Sequence, residues 1–576
     1  MQLTDGSKHH ATGWIGKIVA IVLLPAVGCL VWGCAGNNVL EIRRILFGRE
    51  CIAVELNRAA AVRQIMVYSG SEEVATLRPS QPEKNGALSV LDCTWRPGRE
   101  YRIEVAPADG SPLLTASLQS PCKPSPVVIA SFEMEKDVEP RGLRAPGYLG
   151  GRVAVSADGA YAAVGTEKSR LRVYDVAERR RLWSTRIGEG RILAMQFASG
   201  GRCLLVGEQS RDARITCFDT FTGKELWKYR TADDVGEMEG GEPLYRWPVV
   251  TAVAALDGRN PSDRDRCCAT AARSFTEGGE IRTVSKLYAF DTATGKLLWT
   301  HPPAGAMDAS PSILATDRRG DCLLFNNYRI SPVCGKAVYC LDAGTGAKLW
   351  EWELEPLFPG GRNLIWHGLG ISPDGSRVAA FSQDGRAFFL DYQELLDSGG
   401  SSGCLWKKEM SSPIDVNGMR LIGYGAVAAV TDRNVLFMTG STIVQRGART
   451  RTLIEHPNAD TLFVYSPYGR LEWMYKAGGL SCDLSCSRDG RYVVLGVEHT
   501  YNEKDTSRHG VYVFDSLAAG GGREKLAWFF NTEGACLSAA ISADGRTVAA
   551  IEYPLDVDPR PEFRDVRGAH RFYLLR

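Results

Sequence analysis

Three stretches decide the architecture: CFDTFTGKELW at 217–227, AFDTATGKLLW at 289–299 and CLDAGTGAKLW at 340–350. In each, an Asp precedes a Trp by eight residues with Thr-Gly between them: Asp219 and Trp227, Asp291 and Trp299, Asp342 and Trp350. A fourth copy, VYDVAERRRLW at 173–183, keeps Asp175 and Trp183 at the same spacing without the Thr-Gly pair. The apolar residues before the Asp read as a strand, Asp-x-x-Thr-Gly as a tight turn whose glycine takes positive φ, and the run up to Trp as the returning strand. Each segment is therefore predicted to be a β-hairpin. Looser copies end at Trp406, Trp473 and Trp528, and the spacing between successive tryptophans runs from 44 to 72 residues.

A second element supplies the other half of the unit. Ser156-Ala157-Asp158-Gly159, Ser372-Pro373-Asp374-Gly375, Ser487-Arg488-Asp489-Gly490 and Ser542-Ala543-Asp544-Gly545 are each followed by a strand-like run such as RVAAFS or RTVAAIE. Two hairpins give four strands per repeat. At this period, four strands predict the blade of a β-propeller, whose apolar face is covered by the next blade.

The Ala-x-Asp-x-x-Thr-Gly-Lys-x-x-Trp segment resembles the repeat of PQQ-like, quinoprotein-type β-propellers, and the Ser-x-Asp-Gly turns are similar to those of WD40-like propellers. The resemblance covers about 150–576 and implies eight blades, since that family commonly has eight. An eighth is expected from Ala535–Arg576, whose strands ACLSAAIS, RTVAAIEY and RFYLLR lack a terminal Trp hairpin, completed by PVVIASF at 126–132. Closing the ring with a strand near 127–133 would remove exposed sheet edges. The propeller is therefore expected over 126–576. By analogy with the propeller lipoprotein of the outer-membrane-protein assembly machinery, the resemblance implies a non-catalytic protein-interaction scaffold whose partners are other envelope or membrane proteins.

Residues 1–37 are expected to target the chain to a membrane. Ile18–Gly36 is a nearly charge-free apolar run preceded by Lys8 and Lys17. About 19 residues would just cross a hydrocarbon core of ~30 Å, so length permits a retained anchor or a cleaved signal. Its end, Leu30-Val31-Trp32-Gly33-Cys34, resembles a bacterial lipoprotein signal with Cys34 as the lipidated residue. Lipidation at Cys34, an uncleaved anchor and ordinary cleavage all place the rest of the chain outside the cytoplasm. The 68 Lys and Arg against 67 Asp and Glu give a formal charge of +1, which argues against a nucleic-acid partner. Sixteen cysteines in an exported chain permit disulfides without demonstrating them; Cys203, Cys217, Cys322 and Cys340 sit in apolar runs and read as small hydrophobes.

Between these parts, 38–125 alternates strand-like runs with turns: CIAVELN at 51–57, RQIMVYSG at 63–70 and ALSVLDC at 87–93. The stretch from Trp95 to Val105, with Pro97-Gly98 ahead of Tyr101-x-Ile103-x-Val105, resembles a late strand of fibronectin type III or immunoglobulin-like sandwiches. A small β-sandwich with a spacing or docking role is expected. The fold class predicted overall is all-β: an eight-bladed propeller preceded by this sandwich and the targeting segment.

No catalytic, cofactor-binding or metal-ligating residue is assigned. The tryptophans Trp183, Trp227, Trp299, Trp350, Trp406, Trp473 and Trp528 occupy one repeat position, so packing against a neighbouring blade explains all of them, whereas a stacked cofactor would explain one. Cys267-Cys268 resembles the adjacent-cysteine disulfide of some quinoprotein dehydrogenases, but no calcium cage accompanies it, and RCCATAA reads as an interior strand. Beyond the leader the histidines are His301, His367, His456, His499, His509 and His570, with no pair spaced for one metal. Two alternatives remain: a quinone- or metal-dependent oxidoreductase, and a hydrolase assembled from several blades at the channel mouth.

Overall fold

A computed structural model of the protein describes residues 40–576 apart from 58, 79–87, 136–139, 143–151, 238–246, 257–264, 278–279, 308–310, 328–336, 355–364, 447–453, 480, 482, 499–504, 559 and 561–562. Strand is the dominant regular structure of the described chain. The α-helices among the described residues are short, at Ala232–Val235, Tyr392–Ser398 and Gly522–Lys525. No helix among these residues is long and apolar enough to cross a membrane, and the run Ile18–Gly36 with Cys34 lies outside them.

The chain divides into two compact units. The first takes residues up to Leu46, Val54–Ser89 and Gly98–Pro121. In it Glu72–Leu77, Val62–Ser69, Glu100–Pro107 and Leu114–Gln119 form a four-stranded antiparallel sheet in that order. Alternation buries one face, with Ile65, Val67, Tyr101, Ile103 and Val105 all at 3% exposure or less.

The second unit takes Phe47–Ala53, Val90–Pro97 and Cys122–Arg576. Its repeat is a four-stranded antiparallel sheet, seen plainly in Arg152–Val155, Tyr161–Gly165, Arg170–Asp175 and Arg180–Arg186. The first strands of the later sheets are Arg191–Ala198, Val249–Leu256, Leu314–Thr316, Ile365–Ile371, Met419–Val430, Asp483–Cys486 and Ala535–Ile541. Single pairings, Gln209↔Val249 and His367↔Val427, link neighbouring sheets. The last sheet takes its outer strand, Val128–Glu133, from far upstream: it pairs with Arg571–Leu575 through Phe572↔Phe132 and Leu574↔Ala130. The apolar clusters lie between successive sheets, as where Leu171 and Val173 meet Leu204 and Phe218, or Trp528 and Val513 meet Ile541, Ala550 and Tyr573. Between last and first, Tyr174 lies 4.3 Å from Phe132 and 4.9 Å from Phe572, measured between ring centroids.

The outer hairpins explain the sequence repeat. Asp219 Oδ1 accepts from Thr222 N (2.7 Å) and Thr222 Oγ1 (2.6 Å), while Gly223 at φ 73° turns the chain back. Asp291 with Thr294 and Asp342 with Thr345 repeat the arrangement. These bonds stabilise the ionised carboxylate, so Asp219 titrates below the usual range, with the Thr222 hydroxyl as the largest cause. The returning strand carries Trp227 opposite Cys217, beside a bulge, and the same register recurs at Val173↔Trp183, Ala289↔Trp299, Cys340↔Trp350, Phe389↔Trp406, Val464↔Trp473 and Val513↔Trp528.

Four of the seven indoles bond the next sheet's turn. Trp183 Nε1 donates to Thr220 O (2.7 Å), Trp227 to Thr292 O (2.7 Å), Trp299 to Ala343 O (3.1 Å) and Trp406 to Pro467 O (3.0 Å). The turn glycine lies against the ring: a Cβ on Gly295 would sit 2.4 Å from Trp227, and one on Gly346 2.6 Å from Trp299. Glycine is thus required by positive φ and by the indole together. Where the next turn is rebuilt, the bond changes. After Trp350 the turn becomes the helix Tyr392–Ser398, capped by Asp391 on Glu394 N (3.0 Å); after Trp528 the outer strands of the last sheet are not joined by a turn. Nε1 of both Trp350 and Trp528 is buried without a partner.

The inner turns stitch the sheets in the same way. Ser156 Oγ donates to Asp158 Oδ1 (2.6 Å) and accepts from Tyr161 N (2.9 Å). Backbone bonds then run between turns of adjacent sheets, Arg488 N to Ala543 O (2.8 Å) and Ala543 N to Ala157 O (3.0 Å).

Candidate functional site

The first strand of every one of these sheets contributes to the wall of a single cavity of about 330 Å³. The cause is positional. The residue four places before each turn serine is Arg152, Gly368, Asp483 or Ser538, and three of these four line the cavity.

Arg152 donates from Nε to Leu193 O (3.2 Å) and from Nη1 to Asp483 Oδ1 (2.9 Å). Both side chains are about three-quarters withdrawn from solvent, at 24% and 23% exposure. His367 also lines the cavity, and burial together with the Arg152 charge pushes its imidazole down to about 3, so it is neutral at physiological pH. The cavity hydroxyls are engaged elsewhere. Ser312 donates to Trp366 O (2.6 Å), Ser538 accepts from Val153 N (3.2 Å), and Thr251 bonds Thr270. Among the described residues none of these hydroxyls bonds His367. The rest of the wall is apolar, including Val153, Leu193, Met195, Val253, Ile313 and Leu484. The arrangement sets one charge pair and one neutral ring beside apolar side chains in a cavity that is partly open and of mixed polarity.

The residues singled out by sequence lie elsewhere. The seven repeat tryptophans are spread over seven outer strands and are not brought together. Cys267 and Cys268 sit in the interior strand Arg266–Glu277 as free, buried thiols. They face opposite sides of it, Cys267 packing with Cys217 and Trp227, Cys268 with Leu287 and Leu323. Burial raises the Cys267 thiol to about 12. His301 Nδ1 lies 3.2 Å from Gly346 O and His456 Nε2 2.8 Å from Ser412 O. His509 and His570 are buried and pushed down to about 4 by desolvation. Cys34 and His499 lie outside the described residues. Among the described residues no group of three or more His, Cys, Asp and Glu side chains is placed to hold a metal.

Sequence reasoning missed Arg152, Asp483 and the role of His367. A signal existed: in a strand leading into an inner turn, a charged residue four before the serine breaks an otherwise apolar or small pattern.

A family model described as outer membrane protein assembly factor BamB, of the PQQ-like repeat type, matches residues 103–260. Among solved structures, BamB from Moraxella catarrhalis is similar at 14% identity and TM-score 0.37, over 69% of this chain and 99% of that one. The Cps50 (Swd1) β-propeller domain from Myceliophteria thermophila is similar at 11% identity and TM-score 0.37, over 73% and 95%. No curated protein matches. The family-model match takes in the Asp-to-Trp hairpins that end at Trp183 and Trp227, and with the repeated four-stranded sheets it supports a PQQ-like β-propeller repeat.

Proposed function

We propose that this protein is an exported, membrane-tethered propeller that docks other envelope or membrane proteins and performs no catalysis itself. The observation that carries the reading is the match of 103–260 to the model of an outer membrane protein assembly factor. In this reading the successive four-stranded sheets are eight blades of one ring, sealed by Val128–Glu133 on Arg571–Leu575. Residues 38–125 form an immunoglobulin-type sandwich, and 1–37 carry the export signal with Cys34 as the lipidated residue.

The outer hairpins supply surface for docking. Phe221, Tyr468 and Leu517 stand two residues after Asp219, Ser466 and Asp515, at equivalent turn positions, and are 63%, 94% and 53% exposed. Leu405, Leu471 and Met474 on the outer strands are more than 40% exposed as well. Large apolar side chains repeated on an outer surface suit partner contact better than solvent.

The test places a photo-crosslinking amino acid at Phe221, Tyr468 and Leu517 in turn, in cells carrying the full chain. Discrete adducts to an envelope protein are expected, together with lipid labelling that Cys34→Ser abolishes. Absence of adducts at all three positions overturns the docking reading, and release of the wild-type chain as unlipidated soluble protein overturns the tether.

A further inference from the structure

We infer that the axial cavity binds a small zwitterion of the free α-amino-acid class, with its carboxylate on Arg152, its ammonium on Asp483 and its side chain against the apolar wall. This goes beyond the docking role and does not depend on it: a propeller that docks proteins on its outer hairpins leaves its axis free for a ligand.

The inference rests first on unused valence. A guanidinium has five N–H donors. Among the described residues Arg152 uses one on Leu193 O and one on Asp483 Oδ1, which leaves three N–H donors. Asp483 accepts that bond on Oδ1, which leaves the lone pairs of Oδ2 outside it. Donors and acceptor are held side by side by a contact of 2.9 Å.

Charge then selects the ligand. The pair is neutral overall, so a simple carboxylate gains at Arg152 what it loses near Asp483, and a simple amine suffers the converse. A molecule carrying both charges a few ångströms apart lies antiparallel to the pair and gains at both ends, with the existing bond intact. His367 adds no third charge, because the ring is neutral at physiological pH. Ser312 already donates its hydroxyl to Trp366 O and Thr251 is paired with Thr270, while Ser538, which accepts from Val153 N, keeps its O–H donor without adding a charge.

Size and lining narrow the class further. A volume of about 330 Å³ admits a single small molecule and excludes a folded partner or a long peptide. Val153, Leu193, Met195, Val253 and Leu484 offer an apolar wall to a side chain next to the charge pair. Arg152 belongs to the first sheet and Asp483 to the seventh, with Ser538 of the eighth at the equivalent strand position between them. Ligand binding would therefore brace the region where the ring begins and ends.

The experiment titrates the purified full chain, at neutral pH, with each of the twenty common L-amino acids by calorimetry. The best binder is then compared with its amide and with its des-amino acid, for L-leucine the probes L-leucinamide and 4-methylpentanoate. At least one amino acid is expected to bind at one site per chain, and loss of either charge should weaken binding by about tenfold or more. Asp483→Asn leaves Arg152 as an unbalanced cation, so this variant should prefer 4-methylpentanoate to L-leucine, a reversal that mere loosening of the fold would not produce. No binding by any amino acid overturns the inference, as does binding of either analogue as tight as that of the amino acid itself. If Asp483→Asn does not fold, the wild-type analogue series decides alone. A negative result here leaves the docking role untouched, since no crosslink from the outer hairpins depends on the axis.

Discussion

Replacing Trp227 and Trp528 by Phe, one at a time, separates an indole that is bonded from one that is not. Both rings are nearly buried, at 9% and 3% exposure, so the loss of packing volume is similar. Their hydrogen bonds differ. Trp227 Nε1 donates to Thr292 O at 2.7 Å, whereas Trp528 Nε1 has no partner. Trp227→Phe leaves Thr292 O with only the weak Cys217 thiol donor at 4.0 Å, a cost of about 1–3 kcal/mol, while Trp528→Phe removes a buried unsatisfied N–H and recovers a similar amount. Trp227→Phe should thus be the more destabilising by about 2 kcal/mol at least, which corresponds to ~30-fold in rate if the bond is lost before the unfolding barrier. A chain with two compact units does not unfold in one step, so the suitable measurement is the unfolding rate in guanidinium followed by far-ultraviolet circular dichroism. If Trp528→Phe unfolds as fast as Trp227→Phe, the interlocking of indole and neighbouring turn is not what holds adjacent sheets together.

Gly295 and Gly305 both have φ of 69°, yet a Cβ on Gly295 meets the Trp227 ring at 2.4 Å and one on Gly305 meets no atom of the described residues within 4 Å. Ala at 305 should cost about 1 kcal/mol and Ala at 295 clearly more, read as the difference in melting temperature; equal shifts would contradict the glycine–indole contact. Deleting Val128–Glu133 exposes the edge of Arg571–Leu575, so size-exclusion chromatography with light scattering should show association, and a monomer of unchanged stability would refute the seam. Acid should weaken the fold through His367, His509 and His570, whose folded values of about 3, 4 and 4 lie below the ordinary 6.5. Between those limits the unfolded chain binds more protons, so stability falls as pH drops from 6.5 towards 4, by about 1.4 kcal/mol per pH unit for each histidine. Glu208 and Glu552, raised by burial, act in the opposite sense; a His509→Gln, His570→Gln variant with an unchanged slope in thermal melts across pH 4–6.5 would remove these two histidines as the cause.

The repeat was legible because its bonds are local. Asp219, Thr222 and Gly223 close a turn within five residues, so the pattern survives in the sequence wherever the turn does. The looser copies are in the same register, with Asp391, Ser466 and Asp515 two residues after the partners of Trp406, Trp473 and Trp528. They were harder to read because other devices replace Thr-Gly: a helix from Tyr392 to Ser398 in one, and in another Lys525 Nζ on Ser516 O at 2.9 Å. Each charge shows in the sequence as a break in its strand's pattern, but their pairing was not legible. Arg152 and Asp483 are 331 residues apart, and neither lies in a motif; only the folding of successive sheets around one axis brings the first strand of one beside that of another.

This contrast between local and distant bonds bears on where a repeat protein can hold chemistry. A position that recurs in every unit is constrained in every unit: Asp219, Asp291 and Asp342 hold turns, and the indoles that face the following turns fill the gaps between sheets. Changing one of them for a ligand would open a seam. A position that is equivalent in fold but different in residue has no such duty. Four places before the turn serine the chain carries Arg152, Gly368, Asp483 and Ser538, a cation, no side chain, an anion and a hydroxyl at the same place in the repeat. Packing alone would not need that variety on an apolar wall, and burying a charge there is costly unless it is paired, as Arg152 is with Asp483. Replacing the pair by Met and Leu should therefore leave the fold as stable or more so, while removing whatever the axis recognises.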